Sequence, residues 1–277
     1  MRPAEVVRRG ADYLARHGVE ASRAEAEALM LRVLRVDRAT MFTREMGLST
    51  GEAKAYGRAL CRRCTGTPLQ HLTGEQVFRG LVLEVRAGVF VPRPETEVLV
   101  EVALGLTTRP DPVVVDLCTG SGAVALSMAS ERPGARVFAT DLSDESVVLA
   151  KANAHRLGLT ITVERGDLFG PLPNDLRGRV DVVVANPPYV PTDREAELAP
   201  EVRAEPALAL FGDPSFTQRV FVDAVGWMGP LGAIAVEIEE TTSASIVASA
   251  RAAGFVDVRV HRDLAGRDRV VSGRMAA

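Results

Sequence analysis

Residues 113–122 read Val113-Val-Val-Asp-Leu-Cys-Thr-Gly-Ser-Gly122. An apolar β-type run breaks here into a glycine-rich turn, and a helical pattern near 122–131 follows directly. Gly120 and Gly122 permit positive φ and let a ligand approach bare backbone where a side chain would block it. Asp141 ends the next predicted strand, about twenty residues downstream, where an acidic side chain accepts both hydroxyls of a ribose.

Working outward, the pattern keeps alternating. Strands are expected at 113–117, 136–140, 160–164, 180–185 and 231–238, with a final pair near 255–261 and 268–273. Helices are expected near 122–131, 144–157, 215–228 and 242–253. This alternation predicts an α/β fold, a mostly parallel sheet with helices on both faces. Upstream, two short β-type runs, Gln76-Val-Phe and Leu81-Val-Leu-Glu-Val, flank Arg79-Gly80 and predict a hairpin. The prolines of Val89-Phe-Val-Pro-Arg-Pro-Glu-Thr-Glu97 delay a helix to about 95–106.

The first 70 or so residues carry helical periodicity only. Val6, Val7, Tyr13 and Leu14 share one face, as do Ala28, Leu29, Leu31, Val33 and Leu34. Ser22 with Glu25, and Ser49 with Glu52, each have capping-box spacing and are expected to start helices. Gly66 and Pro68 end the second of these. The three tracts give a helical module over 1–72, a hairpin linker over 73–88 and an α/β domain over 89–277.

Composition narrows the class. The chain of 277 residues is 47% hydrophobic and 25% charged, an ordinary globular balance. It holds no apolar run of about 18 residues to span a membrane, and MRPAEVVRRG lacks the apolar core of a secretory signal. Three cysteines cannot all pair, which suits a cytoplasmic protein. Cys61 and Cys64 lie on a predicted helix with no second ligand pair, so no metal site is expected. Residues 1–72 carry a net charge of +5 and residues 73–277 a net charge of −8, so a basic module precedes an acidic body.

The glycine loop admits two cofactor classes. A nicotinamide or flavin nucleotide fits Asp141, but Ala125 occupies the third glycine's place in G-x-G-x-x-G. S-adenosylmethionine fits Asp116 two residues before the turn, with Asp167 placed for the adenine amino group. The sharpest chemical signal is Asp181-Val-Val-Val-Ala-Asn-Pro-Pro-Tyr189. Pro187 and Pro188 have no amide hydrogens, so the turn presents carbonyl acceptors without competing donors. The Asn186 side-chain oxygen and a nearby carbonyl can take both hydrogens of one planar NH₂ group. That orients its nitrogen and stabilises the positive charge developing on it.

Taken together, Pro68-Leu-Gln-His-Leu-Thr-Gly74, the 89–97 segment, the glycine loop, Asn186-Pro-Pro-Tyr189 and Asp263-Leu-Ala-Gly-Arg-Asp-Arg269 resemble the HemK/PrmC family. Its members are protein-(glutamine-N(5)) methyltransferases of peptide chain release factors. The resemblance implies a Rossmann-like, seven-stranded S-adenosylmethionine-dependent methyltransferase domain behind a small all-helical domain that docks class I release factors. It implies methyl transfer to the glutamine of a Gly-Gly-Gln loop, leaving S-adenosylhomocysteine; a monomer with no membrane and no direct nucleic-acid contact is expected beside it.

Asn186, Pro187 and Tyr189 are then the expected catalytic residues, and Pro188, Phe90, Arg93 and Glu95 complete the substrate site. Arg93 or Glu95 either positions the loop or forms a buried ion pair. The expected cofactor set is Asp116, Thr119, Gly120, Ser121, Gly122, Asp141, Asp167, Leu168 and Asn186. Cys118 stands where the family pattern has glycine, and its small side chain should be tolerated. Two other readings compete with this one: an exocyclic-amine methyltransferase of DNA or ribosomal RNA, and a non-catalytic cofactor-binding scaffold in translation. The −8 body argues against the first and the intact Asn-Pro-Pro-Tyr turn against the second.

Overall fold

A computed structural model describes residues 1–276. Two compact units divide the chain: Met1–Glu75 together with Leu198–Ala204, and Gln76–Glu197 together with Glu205–Ala277.

The first unit is built from α1 (Pro3–Arg16), α2 (Ser22–Leu34), α3 (Arg38–Thr43), α4 (Thr50–Cys64) and α5 (Leu69–Thr73). Leu14, Leu29, Met30, Met41 and Tyr56 close its core, and the Tyr56 hydroxyl donates to the Ala26 carbonyl at 3.0 Å. The Ser49–Glu52 capping box forms in full at the start of α4. The one expected at Ser22 does not. Ala21 occupies the cap position and no side chain caps the helix, because the Glu25 carboxylate turns away to Arg63 of α4, at 2.5 and 3.2 Å. A tertiary ion pair takes the acid that a local cap would have used. Helix α3 had no apolar periodicity to reveal it; Asp37 starts it by accepting from the Thr40 amide at 2.7 Å.

The second unit begins within the hairpin of β1 (Glu75–Phe78) and β2 (Leu81–Glu84), all of which but Glu75 belongs to it. Arg79 and Gly80 turn it with φ of +45° and +78°, the paired positive φ of a tight hairpin turn. The hairpin, read from sequence as a linker, packs Phe78 and Leu83 into a core of this unit. Asn153 fastens it: its side chain accepts from the Glu84 amide at 2.7 Å and donates to the Glu84 and Ser121 carbonyls at 3.0 Å.

After a 3₁₀ turn at Pro94–Thr96 come α6 (Glu97–Leu106), β3 (Val113–Leu117), α7 (Ala123–Glu131), β4 (Arg136–Asp141), α8 (Asp144–Leu157), β5 (Thr162–Arg165) and β6 (Val180–Ala185). Short helices α9 (Pro200–Arg203) and α10 (Ala207–Leu210) precede α11 (Pro214–Ala224). The chain closes with β7 (Met228–Glu237), α12 (Ser243–Ala252), β8 (Phe255–Arg262) and β9 (Asp268–Met275).

The strands form one seven-stranded sheet in the order β5-β4-β3-β6-β7-β9-β8. The first five run parallel and β9 runs antiparallel to both its neighbours. Alternate residues of β3 serve opposite faces. Val113, Val115 and Leu117 pack with Phe221 of α11 and Ile246 of α12, while Val114 packs with Leu99 of α6, Leu126 of α7 and Ala150 of α8. Both faces are covered, as a parallel sheet requires. Strand β8 forms the outer edge, and its register shifts between Val256 and Arg259, around Asp257 at φ +51°. The order reverses at β3, so a crevice opens where β3, β4 and β6 end.

Candidate active site

The crevice is a cavity of about 630 Å³. On one side it is lined by the turn after β3. Cys118, Gly120 and Gly122 take φ of +58°, +55° and +84°, which winds the backbone tightly enough to hand β3 directly to α7. Asp116 holds this turn from beneath: its Oδ2 accepts from the Thr119 hydroxyl at 2.6 Å and from the Ala125 amide at 3.1 Å. Burial pushes its pKa up to about 7, against the pull of those two bonds. Asp141, at the end of β4, accepts from the Gly120 amide at 2.8 Å and the Ser143 amide at 2.9 Å, and burial raises its pKa too. Asp167 reaches the same wall with Oδ1 on Arg219 at 2.5 Å, beside Leu168 and Phe216.

The opposite wall is the turn after β6. Asn186, Pro187, Pro188 and Tyr189 all line the cavity, as does Phe90. Asn186 Nδ2 donates to Thr96 Oγ1 at 3.3 Å, which leaves its Oδ1 as the acceptor end. The Tyr189 hydroxyl donates to Glu237 Oε1 at 3.1 Å, and burial drives the tyrosine pKa up. Val190 is bracketed by the following segment, its amide donating to the Leu210 carbonyl at 2.9 Å and its carbonyl accepting from the Gly212 amide at 3.1 Å. A Cβ on Gly212 would sit 2.1 Å from the Pro188 carbonyl oxygen, so only glycine lets this brace close on the turn.

Most residues expected from sequence converge here; Arg93, Glu95 and Gly122 lie outside the cavity wall. Arg93 forms an ion pair instead, its Nη2 on Glu205 Oε1 at 3.0 Å, with its guanidinium 5.1 Å from the centre of the Phe90 ring. Glu205 also accepts from the Val91 amide at 3.3 Å, so it anchors the segment carrying Phe90. Gly122 is a packing position: a Cβ there would meet Ala150 Cβ at 3.2 Å. Sequence reading missed Thr96, Glu205, Gly212 and Glu237. Glu237 left a signal, since it ends an apolar strand at the same sheet edge as Asp116 and Asp141. The other three carry none until the segments meet. Among the described residues no cluster of His, Cys, Asp or Glu could hold a metal ion.

Residues 5–74 match the family model described as PrmC N-terminal domain, and residues 87–205 that of the Methyltransferase small domain. The release factor glutamine methyltransferase of Mycolicibacterium smegmatis is 42% identical over 271 residues, covering 95% of this chain and 94% of that protein. That of Moorella thermoacetica is 41% identical over 277 residues, covering 96% and 94%. The chain belongs to the release factor glutamine methyltransferase family. Solved structures bear out the fold. A methyltransferase from Pyrococcus furiosus superposes with a TM-score of 0.53 at 18% identity, over 72% of this chain and 91% of that one. A ribosomal protein L11 methylase from Lactobacillus delbrueckii gives 0.52 at 20% identity, over 69% and 82%.

Release factor glutamine methyltransferases belong to the S-adenosylmethionine-dependent methyltransferases, and the glycine-loop wall fits such a cofactor. A Cβ on Gly120 would meet no protein atom within 4 Å, so the backbone there stands open to the cavity. The buried Thr140 hydroxyl, also on the wall, has no hydrogen-bond partner among the described residues. Bare backbone, an unused hydroxyl and the carboxylates of Asp116, Asp141 and Asp167 give this wall a polar character that suits such a cofactor.

Proposed function

We propose that this protein transfers the methyl group of S-adenosylmethionine to the side-chain amide nitrogen of the glutamine in the Gly-Gly-Gln motif of class I peptide chain release factors. The observation that carries it is the Asn186-Pro-Pro-Tyr189 turn facing the glycine loop across one cavity, in a chain related over nearly its whole length to proteins named for this reaction.

Asp141 would hold the ribose hydroxyls, Asp167 and Leu168 the adenine. Asp116, Thr119, Gly120 and Ser121 shape the loop that receives the rest, with Asn186 closing the site from the far wall. When bound, the cofactor supplies an electrophilic methyl group on a sulfonium. The chain's own work is to place the acceptor. An amide nitrogen is planar and its lone pair delocalised, so it reacts only when held in line. Asn186 Oδ1 and the Pro187 carbonyl take its two hydrogens, and Pro187 and Pro188 bring no N–H of their own to compete. Those acceptors also stabilise positive charge as it develops on the nitrogen. Phe90 and Tyr189 wall the side chain in. Tyr189 keeps its proton, being buried and bonded to Glu237, so it acts as a wall and not as a base. No strong base is needed, because the nitrogen turns acidic once methylated and loses its proton to water.

The helical module over 1–72 is assigned to docking the release factor, and we take the enzyme to work as a cytoplasmic monomer. Free thiols at Cys61, Cys64 and Cys118 support that compartment, and no described helix is long and apolar enough to cross a membrane.

The test is transfer of labelled methyl to purified release factor, with a Gly-Gly-Gln→Gly-Gly-Ala factor, DNA and ribosomal RNA in parallel. Label on the native factor alone is expected; label on nucleic acid alone overturns the substrate. Asn186→Ala should lower kcat by roughly 10²–10³-fold, the cost of one pre-placed transition-state group. Near-normal turnover in that variant would remove Asn186 from the mechanism.

A further inference from the structure

The oxygen and nitrogen ends of an asparagine side chain have nearly the same shape, so only its hydrogen-bond partner decides which end faces a ligand. The partner of Asn186 is Thr96, whose hydroxyl can donate or accept and by itself imposes no direction. Behind Thr96 stands Glu237, the last residue of β7, 1% exposed. Its Oε1 accepts from Tyr189. Its Oε2 is buried with no hydrogen-bond partner, an orphaned acceptor, and the Thr96 hydroxyl is among the groups that favour its charged form.

We propose that Glu237 is a positioning residue that sets the polarity of the active-site amide. Its orphaned Oε2 is the acceptor for the Thr96 hydroxyl hydrogen, Thr96 is left to accept from Asn186 Nδ2, and Asn186 Oδ1 is thereby turned to the substrate. This rests on the reading of Asn186 as an acceptor of the substrate amide.

An ionised carboxylate only accepts, so the order Asn186 to Thr96 to Glu237 runs one way. The same group already receives the Tyr189 hydroxyl at Oε1, so with Thr96 on Oε2 one carboxylate would serve both ends of the Asn-Pro-Pro-Tyr turn. Three charged or titratable groups act on it. Arg269 of β9, itself held by Asp263 at 3.1 Å, favours the charged form, Tyr189 favours it by its hydrogen bond, and Glu95 opposes it. Burial outweighs them and pushes Glu237 up to about 7. A protonated Glu237 could donate to Thr96, release the order and let Asn186 present its NH₂ to a substrate that also offers NH₂. A glutamine at 237 carries that ambiguity at every pH.

The experiment compares Glu237→Gln in the parent and in Asn186→Ala, with release factor as substrate. In the parent background Glu237→Gln should lower kcat on the order of 10–10²-fold, the scale of a misaligned acceptor, while KM for S-adenosylmethionine holds. In the Asn186→Ala background it should change the residual kcat little, since no amide is left to orient. Independent of turnover, the Asn186 side-chain NH₂ signal in a ¹⁵N spectrum of the cofactor-free protein, assigned by its loss in Asn186→Ala, should move and exchange faster in Glu237→Gln. Should Glu237→Gln fold poorly, Thr96→Val should reproduce its kcat loss and Thr96→Ser should recover most of it. An equal fold-loss in both backgrounds, or a parent-like kcat and NH₂ signal in Glu237→Gln while Asn186→Ala is impaired, would overturn the role of Glu237 alone. A near-normal Asn186→Ala would overturn the acceptor reading beneath it.

Discussion

Cys118 sits at φ +58° in the turn between β3 and α7, a conformation that costs a side chain with a Cβ and costs glycine nothing. The sequence alone showed cysteine in a glycine's place and suggested tolerance on grounds of size. Backbone conformation is the larger issue, and it follows that Cys118→Gly should raise stability, by about 1 kcal/mol, in urea titration of the cofactor-free protein. An unchanged or lower midpoint would mean that thiol packing against Leu117 and its neighbours outweighs the strain. Asp141 is already bonded to two backbone amides, so removing its carboxylate takes away a brace of the loop along with the proposed ribose acceptor. Asp141→Ala should weaken S-adenosylmethionine binding by about 1.5–3 kcal/mol, the range for a charge-assisted hydrogen bond. Calorimetry returning the parent affinity would exclude that role. These residues were legible because the loop motif is contiguous and Asp141 falls at the end of the very next strand. Thr96 was not, and Glu237 was marked only by its place at a strand end, because 141 positions separate them and their pairing exists only once 3₁₀ turn and strand end meet.

Among the elements, the two capping-box spacings show where local reading works and where it stops. At α4 the Ser49 hydroxyl accepts from the Glu52 amide at 3.2 Å and Glu52 Oε2 accepts from the Ser49 amide at 2.7 Å, all within one turn. At α2 the acid is claimed by an arginine 38 positions away, which no window of a few residues could reveal. Ser49→Ala should cost the helical unit about 1 kcal/mol, read from amide exchange in α4; parent-like protection would mean that packing alone holds that end. Hydrogen bonds from Arg44 and from Ser49 hold Glu52 down to about 2, below its usual 4.5. The stability it confers is therefore complete above about 4.5 and disappears as the pH falls through about 2. The strands and longer helices were legible to within a few residues, since their apolar periodicity is their own. The short helices α3, α9 and α10 lacked that signal.

For the molecule as a whole, the strand–helix alternation foretold the mostly parallel sheet, because topology of this kind follows from short right-handed connections. The assignment of Leu198–Ala204 to the helical unit was hidden, since nothing in its composition marks it off from its flanks. The two acids buried at the sheet's carboxyl edge give a prediction at this scale. Asp116 and Glu237 are each pushed up to about 7, from 3.8 and 4.5, so the folded state binds protons that the unfolded chain has released. Their contribution to stability is complete below about 4 and is lost as the pH rises through about 7. Melting curves of the cofactor-free protein over that range should therefore fall less steeply for Glu237→Gln than for the parent; parallel curves would show that Glu237 does not titrate there.

The register shift in β8 has a consequence for how copies of the protein meet. An outermost strand offers a row of unpaired amides and carbonyls to any passing chain, and here it also exposes Val256 and Val260. Asp257, out of register at positive φ, interrupts that row, and Arg259 adds an exposed charge along it, so a second sheet finds no straight template to extend. The irregularity at the rim acts as a guard against fibre-like self-association, and straightening it would trade solubility for a better-formed strand.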